Sequence, residues 1–202
     1  MLAKLLILLT SCVLLLMIKG CASFQPVNVN DACSVLEDED WYEAALDSQE
    51  RWGTPIHVQL AIMHQESKFQ QDIRPARKWY LGFIPGFRPS NAYGYAQALE
   101  GTWDAYRNST GNHGAKRDNF DDAIDFIGWY TYHSHKNVGI SKWDARAQYL
   151  AYHEGWGGYK RKTYNSKGWL LKVADKVKAQ SLSYAAQYKK CQAELESNRG
   201  WF

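Results

Sequence analysis

A mostly helical single domain is predicted for this chain, on three observations. Apolar residues recur every three to four positions in several segments, glycine-rich turns separate those segments, and no stretch sustains the alternation of a half-buried strand. At 202 residues the chain holds one well-buried domain and little more. It contains no internal repeat and no low-complexity block.

The first residues are read as lying outside the fold. Lys4 gives a short basic start, and Leu5 to Ile18 is a nearly unbroken apolar run of fourteen residues. That is short for a bilayer span and suits the core of an export signal. Two cleavage sites are conceivable. Ile18-Lys19-Gly20-Cys21 resembles the lipobox of bacterial lipoproteins, which would leave Cys21 lipidated at the new N-terminus; Lys19 departs from the usual small or apolar residue. Gly20-Cys21-Ala22 is alternatively a small-x-small site that would give a soluble protein beginning at Ser23. An uncleaved anchor helix is the third reading. The expected division is a signal over 1–20, a polar, irregular tether over 21–30 and one domain over 31–202.

Within the domain, Asp40 can cap a helix from Trp41 to Trp52, stopped by Gly53. Thr54-Pro55 supplies a cap and a first-turn proline for the next, with Ile56, Leu60 and Met63 on one side and Val58 and Ile62 on an adjoining ridge. Asn119 or Asp121 starts a helix through Ile124, Ile127 and Tyr130. Ser141-Lys142-Trp143-Asp144 is a capping-box pattern, opening a helix to about His153 that Gly155, Gly157 and Gly158 end. The last long helix spans Trp169 to Leu195, with Val177, Ser181, Tyr184, Tyr188, Cys191 and Leu195 as one buried stripe. Residues 77–90, "RKWYLGFIPGFRPS", form a long aromatic loop, and residues 78–93 hold at most a short β-hairpin.

Charge and cysteines narrow the classes. Without residues 1–20, Lys4 and Lys19 are lost and 22 basic residues face 21 acidic ones, so net charge gives no support to a nucleic-acid partner. Cys12 falls in the signal and Cys21 is the lipid candidate, leaving Cys33 and Cys191 near opposite ends of the domain. A disulfide between them is expected in an oxidising compartment, the rival being two unpaired buried thiols. Closing so long a loop contributes roughly 4–5 kcal/mol in the chain-entropy picture.

The chemistry centres on "IMHQESKF", residues 62–69. Val58, Ile62 and Glu66 are spaced by four, so the carboxylate extends an apolar ridge. Dehydration there disfavours the charged form and raises the pKa, as a general acid near neutrality requires. The opposing reading is a helix-end glutamate in water. Two further stretches bear on the choice: "NAYGYAQALEGTWDAY" (91–106), with Gln97 at the start of a helix, and "YLAYHEGWGGY" (149–159), where a helix ends in Tyr152, His153 and glycines.

With "QESKF", these resemble the three signatures of the lysozyme-like lytic transglycosylases that carry the soluble-lytic-transglycosylase (SLT) domain. The family pattern is a Glu-Ser pair closing a helix, then Gly-Leu-Met-Gln, then Ala-Tyr-Asn-x-Gly. The resemblance covers roughly residues 54–160. Tyr95-Ala96 stands in place of Leu-Met, His153 in place of the asparagine, and the 77–90 loop looks like an insertion.

The resemblance implies a mainly α, lysozyme-like fold and a cell-wall activity. Glu66 would be the sole catalytic residue, protonating the bond between N-acetylmuramic acid and N-acetylglucosamine. It would then take the proton of the muramoyl C6 hydroxyl as a 1,6-anhydro ring closes. Tyr152 matches the tyrosine whose hydroxyl holds that carboxylate, and Ser67 and Gln97 match residues that fix the site and contact sugar amides. Tyr93, Tyr95 and His153 would line the same region by motif position. No metal or organic cofactor is implied; the partner is the peptidoglycan glycan strand, met by a monomer. By the same resemblance the protein is periplasmic. If lipidated it is a lipoprotein held to a membrane through Cys21, and the absence of an aspartate at position 22 favours the outer membrane. Otherwise it is a soluble exported protein.

Rival readings stay open at the level of sequence. A hydrolytic muramidase of the same fold would use Glu154, Asp104 or Asp72 as a second carboxylate, and a peptidoglycan-binding lipoprotein would keep the cleft without turnover. Trp79, Tyr80, Phe83 and Phe87 either pack on sugar faces or form a satellite cluster under the loop. Metal catalysis has little support. His133 and His135 point to different helix faces, and nothing completes a site around His57 and His64. Tyr159-Lys160-Arg161-Lys162 is a basic turn beside the third motif.

Overall fold

The computed structural model describes residues 24–198, so the expected signal and Cys21 lie outside the described residues. Among the described residues seven helices form the domain: α1 (Ala32–Val35), α2 (Glu39–Trp52), α3 (Ile56–Ser67), α4 (Glu100–Thr110), α5 (Phe120–Val138), α6 (Ala145–Lys160) and α7 (Gly168–Asn198). A hairpin of β1 (Trp79–Tyr80) and β2 (Ile84–Pro85) stands in the long loop between α3 and α4. A 3-10 turn, Thr163–Ser166, joins α6 to α7.

Helix α3 is the centre of the molecule, packed against α2, α5, α6 and α7. Its sequence dictates this. Ile56, Val58, Leu60, Ala61, Ile62 and Met63 are all buried, so the helix is apolar around most of its circumference rather than along one stripe. The one amide in that run is engaged at both ends: Gln59 accepts from Ser48 Oγ at 2.7 Å and donates to Thr54 O at 2.8 Å.

Helices α2 and α5 approach closely at Gly128. A Cβ there would stand 2.4 Å from Ser48 Oγ and 2.5 Å from Trp52 Cδ1. The contact is fastened by Ser48 Oγ donating to Ile124 O at 3.0 Å and Trp52 Nε1 donating to Asp125 at 2.6 Å. Trp41 stacks on Phe120 at 3.8 Å, closing the end of the same interface.

The expected stripe of α7 is present: Val177, Ser181 and Tyr184 are buried, and Tyr188 and Leu195 lie against the core. Cys33 on α1 is bonded to Cys191 on α7 with Cα atoms 6.0 Å apart, as expected. Residues 24–30, read as tether, are instead laid on the domain. Phe24 packs edge-on to Trp41 at 4.9 Å, Tyr184 donates its hydroxyl to Val29 O, and Gln187 donates to Asn30 O at 3.2 Å.

Helix ends differ from the sequence reading by local competition for capping groups. Asp38, not Asp40, caps α2 by accepting from Trp41 N at 3.1 Å. Thr54 does not cap α3; its hydroxyl pairs with Thr131 Oγ1 at 2.8 Å, and Gln49 Oε1 accepts from Ile56 N instead. Asp144 caps α6, which continues past the expected stop to Lys160 with a kink at Gly155 (φ 69°, ψ 161°). Only glycine tolerates that backbone, so the chain bends there without ending. Among the described residues, no helix is long and apolar enough to cross a membrane.

Candidate active site

Glu66 is the penultimate residue of α3, and the chain reverses sharply just beyond it. Lys68 (φ 54°) and Phe69 (φ 61°) are consecutive non-glycine residues in the left-handed region. Such strain persists only where the surroundings over-determine it. Here the fully buried Phe69 ring anchors the reversal, and Lys68 N donates to His64 O at 3.1 Å to close the last turn.

Glu66 keeps part of its surface open, while its carboxyl is densely surrounded by protein. Burial pushes its pKa up from 4.5 to about 7, opposed in part by a hydrogen bond from the Tyr149 hydroxyl. Tyr149 is buried on α6, and its own ionisation is driven up by burial and then by the charge of Glu66. The neutral phenol is therefore a fixed donor to the carboxylate.

Tyr152, one turn further on α6, is also close enough to feel the Glu66 charge, though burial is the larger cause of its raised pKa. Its hydroxyl donates to Ala96 O at 2.6 Å. Of the two hydroxyls, it is that of Tyr149, which the sequence reading did not name, that lowers the Glu66 pKa, while Tyr152 acts on it through charge alone. The signal was present: Tyr149 and Tyr152 are three apart on one helix, hence on one face.

Ala96 belongs to the second motif, and its neighbours form a staple. Gln97 (φ 47°) donates its side-chain amide to Ile73 O and Gly94 O, both at 2.9 Å. Gly94 N also donates to Ile73 O at 3.1 Å, so the long loop is pinched shut at its base. Gln97 stands before α4 rather than at its start, and its amide nitrogen is committed to backbone carbonyls. Gly94 (φ 77°) is demanded by close approach, since a Cβ there would lie 1.8 Å from Arg117 O. The end of α3, α6 and the stapled turn are thus linked: Tyr149 and Tyr152 act on Glu66, and Tyr152 ties α6 to the turn at Ala96.

Other sequence candidates are placed elsewhere. Tyr95 was expected to line the substrate region, but its ring is 2% exposed and packs edge-on against Trp41 and Phe120 at 5.7 and 5.8 Å. It is a core residue, because the turn at Gly94 directs the following side chain inward. Ser67 is buried and donates to Met63 O in its own helix at 3.4 Å. Tyr93 donates to Asp118 at 3.0 Å beneath the Arg74 guanidinium, 4.1 Å from its ring, and so braces the loop.

His153 turns to Glu154 Oε1 at 3.0 Å and meets Trp169 edge-on at 5.1 Å. Glu154 itself also accepts from Lys167 at 2.7 Å and from Thr163. Burial would raise its pKa, but these hydrogen bonds outweigh it and hold it down to about 2. Glu154 is a structural anion. Asp104 is exposed and paired with Arg107 at 3.6 Å, and Asp72 is exposed. The influences acting on Glu66 are burial and Tyr149, with no second carboxylate among them. A depression of about 540 Å³ is lined by Asp47, Glu50, Asp121, Asp122 and Asp125 and does not include Glu66.

The sequence profile of the transglycosylase SLT domain matches residues 9–191, which takes in every described helix from α1 and α7 as far as Cys191. The chain belongs to this family. No curated protein matches it. As an SLT transglycosylase it is an enzyme of the lytic-transglycosylase type, acting on peptidoglycan. The mainly helical architecture with a single two-stranded hairpin among the described residues agrees with a lysozyme-like domain.

Proposed function

We propose that this enzyme cleaves the β-1,4 bond between N-acetylmuramic acid and N-acetylglucosamine without water, with Glu66 as both acid and base. The observation that carries the reading is a carboxyl at the end of α3 lifted to about 7 by burial, beside the α6 tyrosines Tyr149 and Tyr152. A group so poised is protonated in a useful fraction near neutrality and is a competent base once ionised.

In the first half-reaction the Glu66 proton passes to the glycosidic oxygen as the C1–O bond breaks, releasing the leaving sugar as an alcohol. The substrate's acetamido group stabilises the positive charge at C1. In the second, the Glu66 carboxylate takes the proton from the muramoyl C6 hydroxyl as that oxygen bonds to C1, and the carboxyl is restored. One carboxyl is sufficient because the nucleophile is part of the substrate, unlike the paired carboxylates of most glycosidases. An internal nucleophile also avoids the ordering of a captured water. Tyr149 steadies the carboxylate, while Tyr152 and Gln97 hold the turn at Ala96 against α6.

Digestion of purified sacculi by wild type and Glu66→Gln tests this. Wild type should release fragments whose muramoyl ends are one water lighter than reducing ends, and the variant should bind sacculi without releasing them. Reducing ends would instead establish hydrolysis, and binding without release by the wild type would establish a non-catalytic module. We further propose export and attachment to the outer membrane through a lipid on Cys21. Metabolic labelling with a radioactive fatty acid, lost in Cys21→Ala, is the test; an unlabelled wild type would mean a soluble mature form.

A further inference from the structure

We propose that the hairpin of residues 77–88 is a membrane-docking element that inserts into the surface of a bilayer carrying anionic lipid. This role is independent of the one assigned to Glu66.

The hairpin is the most apolar exposed feature among the described residues. Trp79 is 60% exposed, Leu81 82%, Phe83 72% and Phe87 90%, with Tyr80 and Ile84 also exposed. In the strand pairing Trp79 faces Pro85 and Tyr80 faces Ile84, and the strands are exposed on both faces. The tip, Leu81-Gly82-Phe83, holds Leu81 (φ 52°) and Gly82 (φ 78°) in the left-handed region, so a strained turn presents a leucine outward. An apolar patch of this kind marks an interaction surface in a water-soluble body.

Charge identifies the occupant. Arg74, Arg77, Lys78 and Arg88 lie in the segment, and no Asp or Glu occurs from Ile73 to Leu99. Arg74 is engaged over Tyr93 and Arg88 donates to Pro75 O, while Arg77 and Lys78 are exposed and make no ion pair among the described residues. Aromatic and aliphatic side chains above a basic collar suit the boundary of headgroups and acyl chains, where Trp and Tyr are enriched and each basic residue gains from anionic lipid. A glycan platform is the less favoured alternative. Sugar sites set rings beside polar groups that bind hydroxyls, yet no Asn, Gln, Asp or Glu lies between Ile73 and Ser90. Leu81 at the tip and Ile84 in β2 also offer no flat face to a pyranose.

Position points the same way. Phe24, the first described residue, shares a depression with Trp41, Tyr95 and Gln71, and Gln71 stands at the root of the loop. The first described residue therefore lies beside the segment that leads into the hairpin.

The test uses the chain beginning at Ser23, which retains every described core residue, so that no leader or lipid contributes. Sedimentation with vesicles of phosphatidylethanolamine and phosphatidylglycerol should show binding that weakens as salt rises. The double variant Leu81→Asp/Phe87→Asp should bind at least tenfold more weakly. Arg77→Ser/Lys78→Ser should lose roughly twenty-five-fold, on the order of fivefold per charge. Circular dichroism melts of both pairs should match wild type, since all four side chains are exposed. Absence of wild-type binding, or equal binding by the first variant, overturns the proposal. Equal affinity for neutral vesicles overturns its anionic part. If the first variant loses binding to sacculi while keeping it to vesicles, the hairpin is a glycan platform and the proposal fails.

Discussion

Replacing Glu66 by glutamine should make the protein more stable, but only above the pH at which the unfolded chain gives up the carboxyl proton. The folded-state pKa of about 7 lies above the ordinary 4.5, so the folded protein binds the proton more tightly than the unfolded chain does. Below pH 4.5 both states hold the proton, and nothing is lost. Between 4.5 and 7 the unfolded state releases it first, and the wild type loses stability as pH rises. Above 7 the penalty is constant. At about 1.36 kcal/mol per pKa unit, the full displacement corresponds to about 3 kcal/mol. Glutamine resembles the protonated acid and can still accept from Tyr149, so Glu66→Gln should match wild type at about pH 4 and exceed it by about 3 kcal/mol at about pH 8. Urea denaturation at the two pH values, with the disulfide kept oxidised, measures this as a pH-dependent gap between midpoints at similar slopes. Equal midpoints at the higher pH, or a gap of the same size at the lower one, would refute the claim that burial lifts this carboxyl. The variant that gains stability is also the one expected to lose turnover, a trade that comes from keeping a dehydrated acid in a folded site.

Tyr149→Phe removes the hydrogen bond that lowers the Glu66 pKa, so the pH–rate profile should shift to higher pH and kcat should fall; an unmoved profile would exclude that contact. Gly94→Ala should destabilise by about 3 kcal/mol or more, because the new methyl meets the Arg117 carbonyl in a left-handed backbone; a thermal melt is sufficient to check it. Glu154→Gln should still yield anhydro ends by mass spectrometry, since its carboxylate is held by Lys167, Thr163 and His153; reducing ends in wild type that vanish in this variant would restore it as a water-positioning base. Cys33→Ser should cost about 5 kcal/mol in denaturation experiments, from the 158-residue separation it leaves open.

Much of the fold was legible in the residues. Helical periodicity gave α2, α3, α5 and α7, because long amphipathic or apolar runs have few other ways to bury themselves. The Cys33–Cys191 pairing came from two cysteines in a single exported-type domain. Glu66 stood out because an ionisable group on an apolar ridge is costly unless it has a use. What the residues did not reveal was tertiary competition. Thr54 looks like a cap but is taken by Thr131, and Asp38 wins over Asp40. Tyr95 and Tyr93 both sit beside a motif glycine, yet only the backbone turn decides that one enters the core and the other braces a loop. The exchange of roles between Tyr149 and Tyr152 likewise depends on which hydroxyl the Ala96 carbonyl reaches.

With α1 and α7 joined through sulfur, everything from Cys33 to Cys191 is a covalent ring. A protease that cuts at the outward-facing tip, Leu81 to Phe83, would open the ring without dividing the molecule. The two pieces would migrate as one band until a reductant was added, and the buried contacts of α3 with its four neighbours would hold them in place. A single nick in the hairpin therefore leaves α3 and the tyrosines beside Glu66 assembled, and damage at the edge of the protein stays at the edge.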